Sequence, residues 1–106
     1  MILIAQAFYP AEKSMEVAKV WTEQLNSNRL PEGVKENGPF FRTDPDKGMV
    51  AMSFYEVSNE SMGDAFLALG KRMVPYSGIP GFIWSIHPWV TAQEAMNNAG
   101  IEDPRS

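Results

Sequence analysis

Hydrophobic residues dominate three stretches of the chain and recur at helical spacing along two others. The hydrophobic stretches, residues 2–9, 49–57 and 82–91, are rich in β-branched and aromatic side chains. The helical stretches run from about residue 12 to 28 and from about 58 to 73, with apolar residues every three or four positions. A short strand is expected at residues 39–43, joined to the run that begins at 49 by a five-residue turn. The pattern therefore predicts the order strand, helix, strand, strand, helix, strand.

Glycines and one capping motif refine these elements. Gly48 tolerates the positive φ that the turn between the two middle strands requires. Gly63 and Gly70 each weaken the second helix by about 1 kcal/mol, which we interpret as room for a neighbouring backbone to approach closely. Thr91 and Glu94 have the spacing of a capping box, so a short helix is expected after the last strand.

This order of elements is that of the ferredoxin-like βαββαβ fold, an α+β class. We expect a four-stranded antiparallel sheet with two helices on one face, plus the short C-terminal helix. The 106 residues are expected to form a single domain, with an ordered core at about 1–100 and a tail at 101–106.

Both faces of the predicted sheet carry mainly apolar or small side chains. An antiparallel sheet with one face in solvent normally alternates apolar with polar residues. The two helices can cover one face, and a contiguous apolar face left bare is unusual on a monomer. We therefore expect a homodimer that packs through the helix-free face of the sheet.

Composition excludes several classes of function. A net charge of −4 argues against binding to nucleic acid or to an anionic membrane surface. The sequence has no apolar run of about 18 residues and no charged-then-apolar leader, so neither a membrane span nor secretion is expected, and the cytoplasm is the expected location. With no cysteine and a single histidine, there is little to bind a transition metal, and we expect no metal and no cofactor.

The histidine lies in the stretch FIWSIHPWV, residues 82–90. On the expected strand, His87 shares one face with Ser85 and Trp89. In one interpretation the neutral imidazole acts as a general base; in the other it packs on the sheet and has no chemical role. Ser85 and His87 are roughly 6.5 to 7 Å apart along a strand, too far for a hydrogen-bonded nucleophile pair. Both interpretations stay open, and so does the question of which face His87 occupies.

Two tyrosines and a serine fall on one face if the first and third strands pair. Tyr9, Tyr55 and Ser53 are then interleaved with small residues, Ala5, Ala7 and Ala51. Small side chains beneath phenols leave space, and space with hydroxyl groups is what a ligand pocket requires. Alternatively, the alanines let the helices pack closely against the sheet.

Further candidate ligand contacts are Ser85, Trp89 and Arg42. An arginine at the end of the second strand could hold a substrate carboxylate. The alternative is an ordinary surface pair between Arg42 and Asp44.

Three segments give the chain a resemblance to the dimeric α+β barrel superfamily, in particular to its short bacterial and archaeal members. They are the opening MILIAQAFYP, the PEGVK before the second strand, and FIWSIHPWVTAQEA. The likeness covers most of the chain as a pattern and includes no diagnostic motif. Members of this superfamily pair two ferredoxin-like subunits sheet against sheet, and many hold a ligand between helices and sheet. They include cofactor-independent enzymes and non-enzymatic sensors, so the resemblance implies a homodimer and a small-molecule ligand but no particular reaction.

Three functions are compatible with the sequence, which leaves open whether the protein is an enzyme. The favoured one is an accessory or sensor protein that binds a small apolar or aromatic metabolite, because no two reactive groups are brought together by spacing. The second is a cofactor-independent isomerase, cyclase or monooxygenase, with His87 as general base and Tyr9 or Tyr55 orienting or protonating the substrate. The third is a structural oligomer without a ligand.

Overall fold

The structure, a computed structural model, describes residues 1–102, 104 and 105. Its antiparallel sheet has the order β2-β3-β1-β4 and consists of β1 (Ile2–Tyr9), β2 (Lys35–Asp44), β3 (Gly48–Glu56) and β4 (Ile83–Trp89). The helices are α1 (Ser14–Ser27), α2 (Met62–Met73) and α3 (Ala92–Asn98). This arrangement confirms the predicted α+β class and the ferredoxin-like βαββαβ order. The predicted tail, 101–106, lies partly outside the described residues, which omit 103 and 106.

The central strand β1 fixes which side chains share a face of the sheet. Ala5 lies opposite Ser53 of β3 and Ile86 of β4, while Ile4 lies opposite Phe54 and His87. Because directly opposed residues point to the same side, the odd-numbered positions of β1 and their partners form one face. We call this the helix face, since α1 and α2 pack on it, and we call the side of Ile4 the open face.

The two helices pack unequally on the helix face. Ala65 and Leu69 of α2 are fully or almost fully buried, in a cluster with Leu3, Tyr55 and Ile86. In α1, a helix of 14 residues, only Val17 and Gln24 are buried. The sheet is therefore sealed under α2 and left with space under α1.

The second strand begins earlier than its sequence pattern predicts. β2 starts at Lys35, four residues before the expected start at 39. The pairing of β2 with β3 shifts between Asn37 and Phe40, and Gly38 within the shift has a φ of +118°. This irregularity breaks the alternation of side chains, so the first half of the strand is hidden from a periodicity argument.

The glycines of α2 do not have the role expected of them. A Cβ added at Gly63 or Gly70 would meet no heavy atom within 4 Å among the described residues, so no backbone approaches either position. Gly48, by contrast, has a φ of +91°, and an added Cβ would lie 2.7 Å from the main-chain oxygen of Tyr9.

The short last helix begins as predicted. Thr91 Oγ1 accepts a hydrogen bond from the Glu94 main-chain N–H at 3.1 Å, and Glu94 Oε1 accepts one from the Thr91 N–H at 3.1 Å. The capping box is confirmed. None of the helices in the described part of the chain is long and apolar enough to cross a membrane.

Candidate ligand pocket

A cavity of about 280 Å³ lies between α1, the end of α2 and the helix face of the sheet. Its floor consists of small side chains, Ala5, Ala7, Ala51 and Ser53. Larger residues at these positions would fill the volume, so the space follows directly from the composition of β1 and β3. A cavity of this size lies just below the range of roughly 300 to 1,000 Å³ that is typical of ligand sites, so it suits a small molecule of one or two rings.

The mouth of the cavity is lined by large apolar side chains. Trp21 and Leu25 of α1 and Phe41 of β2 contribute to its lining and are 41%, 38% and 57% exposed. Aromatic and aliphatic groups that are half in solvent and half in a cavity are placed to contact an entering apolar molecule. Access to the cavity is therefore between α1 and the edge strand β2.

Three tyrosines lie in the lining, and all are buried. The rings of Tyr9 and Tyr76 both stack on the ring of Phe82, with centroids 5.9 and 4.6 Å from its centroid and planes within 13° of its plane. Burial raises the pKa of Tyr9, and burial, with the nearby Glu36 carboxylate, raises the pKa of Tyr55 to about 12. Burial likewise raises the pKa of Tyr76 to about 12. All three phenols are therefore neutral hydrogen-bond donors at physiological pH.

A partly buried ion pair lies at one end of the cavity. Arg72 of α2 donates from Nη1 to Glu36 Oε2 of β2 at 3.2 Å, and from Nε to the main-chain oxygen of Asn28 at 2.6 Å. The Asn28 side chain in turn donates to Oε1 of Gln24 in α1. Glu36 also neighbours the hydroxyl of Tyr55. The pair thus ties together α1, α2 and β2 while presenting no net charge.

The structure brings together three of the sequence-predicted site residues. Tyr9, Tyr55 and Ser53 all lie on the helix face and contribute to the cavity lining. The alternative, in which the alanines let the helices close onto the sheet, does not hold beneath α1, where the cavity remains.

The other predicted residues lie on the open face, away from the cavity. His87 lies opposite Ile4, Ser85 opposite Gln6, Trp89 opposite Ile2, and Arg42 opposite Val50. The sheet itself separates them from the phenols, so the seven residues named from the sequence do not form one site within a chain. Arg42 forms the surface pair, with Nη1 3.3 Å from Asp44 Oδ2.

Sequence reasoning missed Glu36, Arg72 and Tyr76. Arg72 follows Leu69 by three positions, so helical spacing alone places it on the buried face of α2. Tyr76 continues the same spacing into the 3₁₀ turn Val74–Gly78. For Glu36 no such signal exists, because the register shift at residues 37–40 interrupts the alternation of β2. No group of three or more potential metal ligands occurs among the residues that the structure describes.

Comparison with known proteins yields a likeness of fold. The chain matches no family model and no curated protein sequence. A de novo designed protein, Foldit4, has a TM-score of 0.50 and 10% identity, over 84% of this chain and 96% of its own. Rv0793 from Mycobacterium tuberculosis has a TM-score of 0.43 and 13% identity, over 86% of this chain and 97% of its own.

Aminopeptidase PepT from Bacillus cereus has a TM-score of 0.46 and 10% identity, over 95% of this chain and 36% of its own. The chain thus spans about a third of that peptidase. At 10% identity, the similarity to Foldit4 concerns the fold alone.

Proposed function

We propose that the protein binds a small, largely apolar or aromatic molecule in the cavity under α1, as an accessory or sensor protein without catalysis of its own. The observation that carries the proposal is an apolar cavity floored by alanines and edged by buried phenols. A protein selected for stability alone would gain by filling such a space, since larger side chains there would bury more apolar surface.

The chemistry of the lining favours binding over catalysis. A general base must reach the proton that it removes and must be free to accept it. Glu36 is already paired with Arg72, and the three phenols hold their protons well above neutral pH. His87 lies across the sheet from them. These positions support a pocket that holds and orients its ligand.

The open face supports the second part of the proposal, a homodimer of the α+β barrel type. Phe40, Ile83 and Trp89 on this face are 57%, 66% and 56% exposed. A patch of large apolar side chains on a sheet favours association with a surface of the same kind. His87 and Ser85 would then lie at the subunit interface.

A cavity-filling substitution tests the binding function. The probes are 2-isopropylnaphthalene and 2-acetonaphthone, two naphthalenes of matched size, titrated by calorimetry. Ala51→Leu puts a larger side chain on the cavity floor and should weaken the binding of both at least about tenfold. Ala95→Leu, at an exposed position of α3, is the matched control and should bind as the wild type does. If neither probe binds the wild type, or if Ala51→Leu binds them equally well, the proposed function is wrong.

A further inference from the structure

We propose that the ligand is an uncharged aromatic compound with a carbonyl oxygen, which accepts hydrogen bonds from the phenols of Tyr9 and Tyr76. This inference rests on the proposed binding function and adds to it the charge and the polar group of the ligand. It follows from three properties of the cavity: two hydroxyl groups without a partner among the described residues, an ion pair that cancels its own charge, and a set of parallel rings.

The hydroxyl groups of Tyr9 and Tyr76 are hydrogen-bond donors that have no acceptor among the described residues. Among the described residues, neither hydroxyl has a hydrogen bond to the protein, whereas the hydroxyl of Tyr55 neighbours Glu36 and Ser53. The described residues include no fully buried side-chain oxygen without a partner, so neither hydroxyl is fully sealed, and both tyrosines line the cavity. A ligand that displaced water from them without supplying an acceptor would leave two donors unsatisfied, which is costly.

The charge balance of the cavity excludes a charged ligand. Among the residues that the structure describes, its lining contains one cation and one anion, Arg72 and Glu36. Their side chains are 14% and 23% exposed and lie 3.2 Å apart. An anionic ligand would find Arg72 already paired and would be repelled by Glu36. A cationic ligand would find Glu36 already paired and would be repelled by Arg72. Because burial of an unpaired charge is expensive, a neutral molecule is favoured.

The orientation of three aromatic rings in the cavity lining favours a flat ligand. Tyr9, Phe82 and Tyr76 have nearly parallel planes, and all three contribute to the lining. Parallel rings favour a flat molecule that can lie against them in an offset stack.

Three naphthalenes with substituents of equal size test the inference on the wild-type protein. They are 2-acetonaphthone, 2-isopropylnaphthalene and 2-naphthoate, which carry a neutral carbonyl, no acceptor and a carboxylate. We expect calorimetry to show the ketone binding at least about tenfold more tightly than either of the others. If the hydrocarbon binds as tightly as the ketone, the inference fails although the proposed function stands. Tightest binding of 2-naphthoate overturns the charge argument, and binding of none of the three overturns the proposed function as well.

Removal of the phenol hydroxyls tests the assignment of the donors. In the double variant Tyr9→Phe, Tyr76→Phe, the ratio of the affinities for ketone and hydrocarbon should fall to within about threefold of unity. The control Ser85→Ala removes a hydroxyl from the opposite face of the sheet and should keep the full preference for the ketone. A double variant that retains the preference would overturn the role of these two phenols.

The substitution Glu36→Gln tests the charge balance independently. Glutamine keeps the shape of the side chain but leaves the positive charge of Arg72 uncompensated. The affinity for 2-naphthoate should then rise at least about tenfold, while that for 2-acetonaphthone changes less than about threefold. An unchanged affinity for 2-naphthoate would show that the ion pair does not set the charge of the ligand.

Discussion

Arg72 connects three elements that otherwise surround a cavity. Its guanidinium bonds Glu36 of β2 and the main-chain oxygen of Asn28, which follows α1, while its own backbone belongs to α2. Arg72→Gln would leave the half-buried carboxylate of Glu36 beside the cavity without its cation. We expect the free energy of unfolding, measured with urea, to fall by about 2 to 3 kcal/mol.

The neighbouring residue provides the control for this prediction. Lys71 is exposed and has the same charge, so Lys71→Gln should change the free energy of unfolding by less than about 0.5 kcal/mol. Equal effects of the two substitutions would mean that the loss of net positive charge, rather than the loss of the Arg72 contacts, determines stability.

The buried tyrosines give the fold a dependence on alkaline pH. Burial raises the pKa of Tyr55 and of Tyr76 to about 12, whereas a tyrosine in an unfolded chain ionises near pH 10. The folded protein therefore binds these protons more tightly than the unfolded chain does. The stability that they contribute is fully present below about pH 10 and is lost as the pH rises towards 12.

The variant Tyr55→Phe isolates one of these protons. Urea unfolding at a series of alkaline pH values should show a stability that falls less steeply than in the wild type, by up to about 1.4 kcal/mol per pH unit. If the variant loses stability with the wild-type slope, the fold does not hold the Tyr55 proton.

At the scale of elements, the sequence predicted what depends on local periodicity. β1, β3 and β4 were found because each is a run dominated by strand-forming residues, and the capping box located the start of α3. The early start of β2 was missed because the register shift near Gly38 breaks the alternation. The pair of Glu36 and Arg72 was missed for a different reason: 36 positions separate its members, and only the folded chain brings them together.

The glycines of α2 lower its helix propensity, although no other segment of the described chain packs closely against them. Gly70 lies inside the helix with no heavy atom of the described residues within 4 Å of an added Cβ, and its φ is negative. Gly70→Ala should therefore raise the free energy of unfolding by about 0.5 to 1 kcal/mol through helix propensity. Thermal or urea unfolding measures the change.

Gly48→Ala makes the same change from glycine to alanine at a position where we expect the opposite effect on stability. An alanine there would have a φ of +91° and a Cβ 2.7 Å from the main-chain oxygen of Tyr9. We expect a loss of more than about 1 kcal/mol. A destabilising Gly70→Ala would indicate that α2 meets another backbone at this position, as a second chain would supply.

At the scale of the whole molecule, alternation alone could not decide which face of the sheet the helices cover. The same pattern places His87 and Tyr9 on opposite faces or on one face, depending on the register of β1 with β4. Pairing of Ile4 with His87 and of Ala5 with Ile86 resolves this. It assigns His87 to the open face, across the sheet from the cavity and its phenols.

The proposed dimer yields the prediction that belongs to this scale. Ile83 on the open face is 66% exposed, and in a two-fold symmetric interface its substitution is present on both subunits. Ile83→Lys would bring two like charges into an apolar contact, and sedimentation at micromolar concentration should show a monomer where the wild type is a dimer. Leu67→Lys, at a position of α2 that is 73% exposed, adds the same charge outside the open face and should remain dimeric. A monomeric wild type would contradict the dimer and would leave the exposed apolar residues of the open face without a partner of their own kind.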